Sequence, residues 1–255
     1  MSKITIASGS SNNSEGQTPG LQIADGVARV LLRRPHQHNR IAHGDIAVLA
    51  AHIKTIVQDE SVRLAVFTGE GDKSFCSGYT LDSLTEHLDH SFEDLIDAIE
   101  SLPMPSLCAL NGSAYGGATD LALACDFRIG VEGSRMVMPA AGIGVHFYPG
   151  GMRRFVTRLG LTQAKKLFLT AMPVDAQEML RIGFLTELVP AAELEAAVQR
   201  YAVAVRETEP SVVRSMKAHL NALADGSFDA AQASRDYAAS LASDALRQRL
   251  AARGR

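Results

Sequence analysis

The chain has 255 residues, 46% of them hydrophobic, and a formal charge of −3 at pH 7. That is enough for one large domain with or without a small appendage, and for a sizeable core. The charge leaves no basic footprint for nucleic acid, and no apolar run approaches the ~20 residues of a membrane span.

The opening "MSKITIASGSSNNSEGQTPG" has one Lys, no Arg and no apolar stretch. It reads as neither a secretory nor a mitochondrial leader, and its Ser, Asn and Gly content predicts a loose tail over residues 1–20. "LQIADGVARVLLRRP" predicts two strands in a hairpin around Asp25-Gly26. Apolar residues at helical spacing predict a helix over 45–57, and "VRLAVFTG" a buried strand over 62–69. A helix in "FEDLIDAIESLP" should stop at Pro103. "SLCALNG" reads as a second buried strand, "GGATDLALAC" as a second buried helix and "DFRIGV" as a third strand. Strands alternating with helices imply an α/β core over 21–190. Beyond it lie "AAELEAAVQRYAVAV", "SVVRSMKAHLNAL" and "FDAAQASRDYAASLASDALRQRL", which predict an α-helical region over 191–255. The apolar faces of these last helices need a partner surface, and self-association supplies one. Cys76, Cys108 and Cys125 are an odd number without metal-type spacing. They predict reduced thiols in a cytoplasmic protein with no metal site.

Two glycine-bearing stretches follow predicted strands. One is "KSFCSGY" after the strand over 62–69; the other is Gly116-Gly117, which opens the buried helix. Each can be a turn that permits close packing. Each can also present backbone N–H groups to a negative oxygen, because the first N–H groups of a helix have no intrahelical acceptor. Ligands gather at the carboxyl ends of strands in such sheets, so the two stretches can meet there.

"KSFCSGYTL", "LNGSAYGGATDLALACDFRIG" and "GIGVHFYPGGMRRFVTRLGLTQAKKLFLTAMPVDAQEMLRIGFLTELVP" together resemble the crotonase, or enoyl-CoA hydratase/isomerase, superfamily. "RRPHQHNRI" resembles its early Arg-Pro-x-x-x-Asn segment. The resemblance implies a spiral of ββα units with a C-terminal helical trimerisation region, giving a homotrimer or a dimer of trimers. It implies an acyl-CoA thioester substrate, with coenzyme A as part of that substrate and no separate cofactor. It also implies two backbone donors that stabilise a thioester enolate, at Tyr79 and Gly117. Around them, Ser77, Gly78, Thr80, Leu81, Gly116, Ala140, Phe147 and Tyr148 would form the substrate pocket.

The sequence departs from the hydratase pattern. Where hydratases place two glutamates, this chain has Asp120, one methylene shorter, and Ala140, which has no acid–base function. Thr80 stands where an acidic residue is usual. Asp120 in an apolar helix is expected to be catalytic, since a buried carboxylate is costly unless it is paired; an acid in a first helical turn is also favourable by itself. His146 in "GVHFY" is expected to assist as a general base near neutral pH, or else to be a packed loop residue. His87 and His90 read as a solvated helix start. Arg33, Arg34, Arg153, Arg154, Lys165, Lys166 and Lys217 are the basic candidates for the CoA phosphates. The expected function is that of an enoyl-CoA hydratase/isomerase family enzyme. Double-bond isomerisation, decarboxylation or thioester hydrolysis is the alternative, because of Ala140. A non-catalytic acyl-CoA-binding protein is the second alternative.

Overall fold

In a computed structural model of the chain, residues 16–80 and 89–253 are described. Strands β1 (Gln17–Ala24) and β2 (Val27–Arg33) form the predicted hairpin. Asp25 and Gly26 both have positive φ, 52° and 76°, as a two-residue turn matched to strand twist requires. β1 starts within the predicted tail: Gln17 pairs with Arg33, and the Arg33 Nε donates to the Thr18 carbonyl at 2.9 Å.

After helix α1 (His43–Gln58), strands come in pairs. They are β3 (Leu64–Gly69) with β4 (Ser74–Cys76), β5 (Ser106–Leu110) with β6 (Ser113–Tyr115), and β7 (Phe127–Val131) with β8 (Arg135–Val137). Helix α2 (Ser91–Glu100) precedes the second pair and α3 (Gly117–Ala124) follows it. The first strand of each pair joins a six-stranded sheet ordered β1-β2-β3-β5-β7-β10. The second joins a four-stranded sheet ordered β4-β6-β8-β9, with β9 at Val174–Asp175 and β10 at Glu187–Val189. Pairing from β2 through β10 in the large sheet is parallel, as is β4-β6-β8 in the small one. Each ββα unit thus lays one strand on each sheet, which is the expected spiral.

Alternation along the strands explains the two faces of the large sheet. Ala28, Val30, Ala65, Phe67 and Cys108 face one core, shared with α1, α2 and α3. Val27, Leu64, Val66, Leu107 and Ala109 face a second, covered by Ala197, Val198, Ala202 and Val205 of α7 (Leu194–Arg206).

Helices α4 (Pro149–Leu159), α5 (Leu161–Thr170) and α6 (Ala176–Arg181) lie between β8 and β10. After α7 come α8 (Pro210–Asp225), α9 (Ala230–Leu241) and α10 (Asp244–Arg253). The sequence reads the last two as one segment. Ser243 separates them: its hydroxyl accepts the Leu246 N–H at 3.2 Å and starts a new helix. No helix among the described residues is long and apolar enough to cross a membrane.

Candidate active site

Strands β4, β6 and β8 run in one direction, so the segments leaving their carboxyl ends lie side by side. Those segments, 77–79, 116–117 and 138–140, all contribute to one cleft of about 310 Å³.

The approach to β4 is tied down by Asn39. Its amide donates to the Glu70 and Ser74 carbonyls, both at 2.9 Å, and its oxygen accepts the Arg34 N–H at 3.0 Å. Beyond β4, Ile41 and Tyr79 form an isolated parallel bridge. The Ile41 N–H donates to Gly78 O at 2.9 Å, and its carbonyl accepts the Thr80 N–H at 3.0 Å. In this pattern the bridged residue, Tyr79, turns its own N–H to the opposite side. That side is the start of α3, where a β-carbon placed on Gly117 would lie 3.7 Å from the Tyr79 nitrogen.

Two glycines there are closely packed, and the first admits no other residue. Gly78 has φ 86°, and a β-carbon on it would sit 2.7 Å from Tyr115 O and 2.9 Å from Gly117 N. A β-carbon on Gly117 would sit 2.7 Å from the Phe92 ring. As the first residue of α3, Gly117 has an N–H at the positive end of the helix dipole. The structure therefore brings together the two backbone groups singled out from the sequence, on one wall of the cleft.

The other wall carries side chains. Ala140, His146, Phe147 and Tyr148 come from the segment between β8 and α4, while Phe92 and Glu93 come from α2. Ala140 offers the cleft a methyl group. His146 is exposed, and its Nδ1 lies 2.8 Å from Phe147 O. A carbonyl only accepts, so Nδ1 carries a proton and the lone pair of the neutral ring is on Nε2.

Asp120 differs from its expected place. It is fully buried and is not among the residues lining the cleft. Its Oδ1 accepts from Arg154 Nε at 2.9 Å. Its Oδ2 accepts from Arg154 Nη2 at 2.8 Å and from the Tyr148 hydroxyl at 2.6 Å. Arg154, also fully buried, donates further to Asp97 at 2.6 Å and Glu100 at 2.9 Å. Arg153 and Arg158 complete the cluster on Glu100. The physical reason is pairing: a carboxylate in an apolar helix is stable once a bidentate guanidinium meets it.

Charge follows geometry. Burial works against the Arg154 charge, but Asp120, Asp97 and Glu100 outweigh it and raise its pKa above the usual range. Burial would likewise raise the Glu100 carboxyl, yet Arg153, Arg154 and Arg158 hold it below the ordinary value. The Tyr148 hydroxyl is pushed well above its usual value by burial and by the Asp120 charge, so it stays a phenol.

Of the remaining candidates, Ser77 and Gly116 line the cleft, and Gly78 lies behind its wall. The Thr80 hydroxyl donates to Ile41 O at 3.0 Å. Leu81 and His87 lie outside the described residues. Most basic candidates are engaged elsewhere. Arg34 pairs with Asp45, Lys166 with Glu178 and Lys217 with Asp126, and Arg153 and Arg154 lie in the buried cluster. Lys165 instead lines a second, apolar cleft beside Phe147 and Phe168. Among the described residues no group of His, Cys, Asp and Glu could hold a metal.

Sequence reasoning missed Glu93. It lines the cleft and its Oε1 accepts the Gly150 N–H at 3.2 Å, while exposed His90 sits 3.3 Å from its Oε2. Its neighbour Phe92, an apolar residue inside a polar run, was the available signal.

The paired sheets, the ββα spiral and the cleft at the ends of β4, β6 and β8 define a crotonase-fold protein. A family model described as enoyl-CoA hydratase/isomerase matches residues 22–249, and the chain belongs to that family. The crotonyl-CoA hydratase of Syntrophomonas wolfei is 29% identical over 208 residues, covering 79% of this chain and 80% of that protein. The short-chain-enoyl-CoA hydratase of Clostridium acetobutylicum is 29% identical over 204 residues, 76% of this chain and 77% of that one. The solved enoyl-CoA hydratase of Bacillus anthracis has a TM-score of 0.81 at 26% identity, covering 89% of this chain and 92% of its own.

Proposed function

We propose that the chain acts on an acyl-CoA thioester whose carbonyl oxygen is received by the Tyr79 and Gly117 N–H groups, and that its reaction moves a proton rather than adding water. The convergence of those two N–H groups on the cleft supports the first half. The second half rests on one observation: neither implied carboxylate is available. Position 140 is alanine, and Asp120 is bound by Arg154 and Tyr148.

Proton transfer at the carbon beside the thioester then falls to groups that line the cleft, Glu93 and His146. Asp120 is a positioning residue that fixes the Tyr148 phenol. Removal of an α-proton gives an enolate whose charge rests on the oxygen between the two N–H groups. Return of the proton at the γ-carbon shifts the double bond. Hydration is the second reading, favoured by the hydratase relatives.

The experiment presents the purified protein with a 3-enoyl-CoA and with crotonyl-CoA and follows the conjugated-thioester absorbance. Gain of absorbance from the 3-enoyl substrate, with crotonyl-CoA unchanged, is expected. Rapid loss of the crotonyl-CoA signal would overturn the proton-transfer reading in favour of hydration. Binding of both without change would indicate a non-catalytic acyl-CoA-binding protein.

The same proposal includes a homotrimer or dimer of trimers in the cytoplasm. Met216, Leu220 and Leu223 on α8 and Tyr237 and Leu241 on α9 are each more than half exposed, an apolar surface suited to another copy. Three free, buried thiols fit a reducing compartment. A monomer mass by light scattering at micromolar concentration would refute the assembly.

A further inference from the structure

The chain has nine phenylalanines and five tyrosines. Five of these fourteen, Tyr79, Phe92, Tyr115, Phe147 and Tyr148, line the one cleft. Four of them form a continuous file. The Tyr79 ring stacks on Phe92 with centroids 5.2 Å apart and planes at 24°. Phe92 meets Tyr148 edge-on at 6.2 Å and 71°, and Tyr148 stacks on Phe147 at 4.3 Å and 23°.

The file has a defined origin. The Phe92 ring abuts the backbone of Gly117, so it starts beside the N–H groups assigned to the thioester oxygen. It is also braced. Phe147 packs against Phe168 at 5.2 Å and Phe155 at 6.2 Å, and the Tyr148 hydroxyl is held by the buried Asp120. These contacts hold the Phe147 and Tyr148 rings in place at the cleft.

Saturated chains gain from such a wall only by burying apolar area. A flat aromatic group gains in addition from offset-stacked and edge-to-face contact. We infer that the acyl group this cleft selects is aryl-substituted, of the 4-arylbutanoyl or 4-arylbutenoyl type with the ring on the γ-carbon, which can then take the proton, rather than a straight alkyl chain. This inference rests on the acyl-CoA reading above and names the substrate class of the same site.

The test measures equilibrium binding of 4-phenylbutanoyl-CoA, 4-cyclohexylbutanoyl-CoA and octanoyl-CoA to the full chain by calorimetry. These saturated thioesters have no double bond to shift. The cyclohexyl compound matches the phenyl compound in carbon count but is not flat. Aryl binding about 3- to 10-fold tighter than cyclohexyl is expected. Tyr79→Leu and Phe147→Leu, which keep the backbone N–H groups, should bring the two ligands toward parity. Equal or tighter binding of the cyclohexyl or octanoyl thioester to the wild-type chain would overturn the inference while leaving the acyl-CoA reading intact. This comparison does not depend on the folding of any variant. Binding of none of the three would overturn both.

Discussion

On one side of the cleft the polar groups presented are backbone N–H groups, at Tyr79 and Gly117. On the other they are side chains, from Glu93 on α2 to Tyr148 before α4. The first wall depends on a bridge to Ile41, on a glycine required at position 78 and on the close packing of Gly117, so most of the surrounding sequence can drift without moving it. The second changes with every substitution. Family membership at 29% identity is therefore compatible with a methyl group at position 140 and an engaged carboxylate at 120. Under the proposed function, substrate activation and choice of reaction reside in separate parts of the same cavity.

That separation can be attacked from either side. Arg154→Leu leaves Asp120 and Glu100 buried without their shared partner, and removing one member of a buried ion pair costs about 3–5 kcal/mol. Urea denaturation should register a loss of that size, and a loss below about 1 kcal/mol would show that the cluster is not a stabilising unit. Gly78→Ala strikes the other wall, forcing a β-carbon against Tyr115 O and Gly117 N. Turnover of whichever thioester is accepted should fall about 10²–10³-fold, the usual effect of losing one oxyanion donor. Unchanged kcat would mean that the two N–H groups do not receive the oxygen.

A smaller effect concerns acid. The Glu100 carboxyl titrates below its ordinary value in the folded chain, so the unfolded chain takes up the proton first as the pH drops. Its stabilisation is present at neutral pH and is lost as the pH falls below about 4.3, the unperturbed glutamate value, through the folded one. Glu100→Gln should flatten this part of the stability–pH curve, and an unaltered slope would assign the acid sensitivity to other groups.

Long periodic elements were legible in the sequence. The Asp25-Gly26 hairpin, α1, α2 and strands β3, β5 and β7 of the large sheet carry their own turn residues and apolar spacing. Strands β4, β6 and β8 were not, because three residues are too few to establish a period of two. They are the strands that aim the cleft, so the general rule for such sheets could bring the two glycine stretches to one end, but only the family resemblance named the two N–H groups that meet there. The partner of Asp120 was illegible for a related reason: Arg154 is 34 residues away on a helix whose pattern gives no sign of a fully buried guanidinium. Glu93 was hidden by composition, since a run rich in His, Asp and Glu reads as solvated until the tertiary fold lays it against Gly150.

Because every ββα repeat delivers one loop to the same end of the small sheet, the cavity is assembled like the rim of a coil spring, one arc per turn. An arc can be lengthened or rewritten without uncoiling its neighbours, since each is anchored by its own strand in the sheet below. The arc containing Ala140 is separated in sequence from the two that hold Tyr79 and Gly117. It is the place where a new reaction could be installed, by mutation or by design, on a frame left untouched.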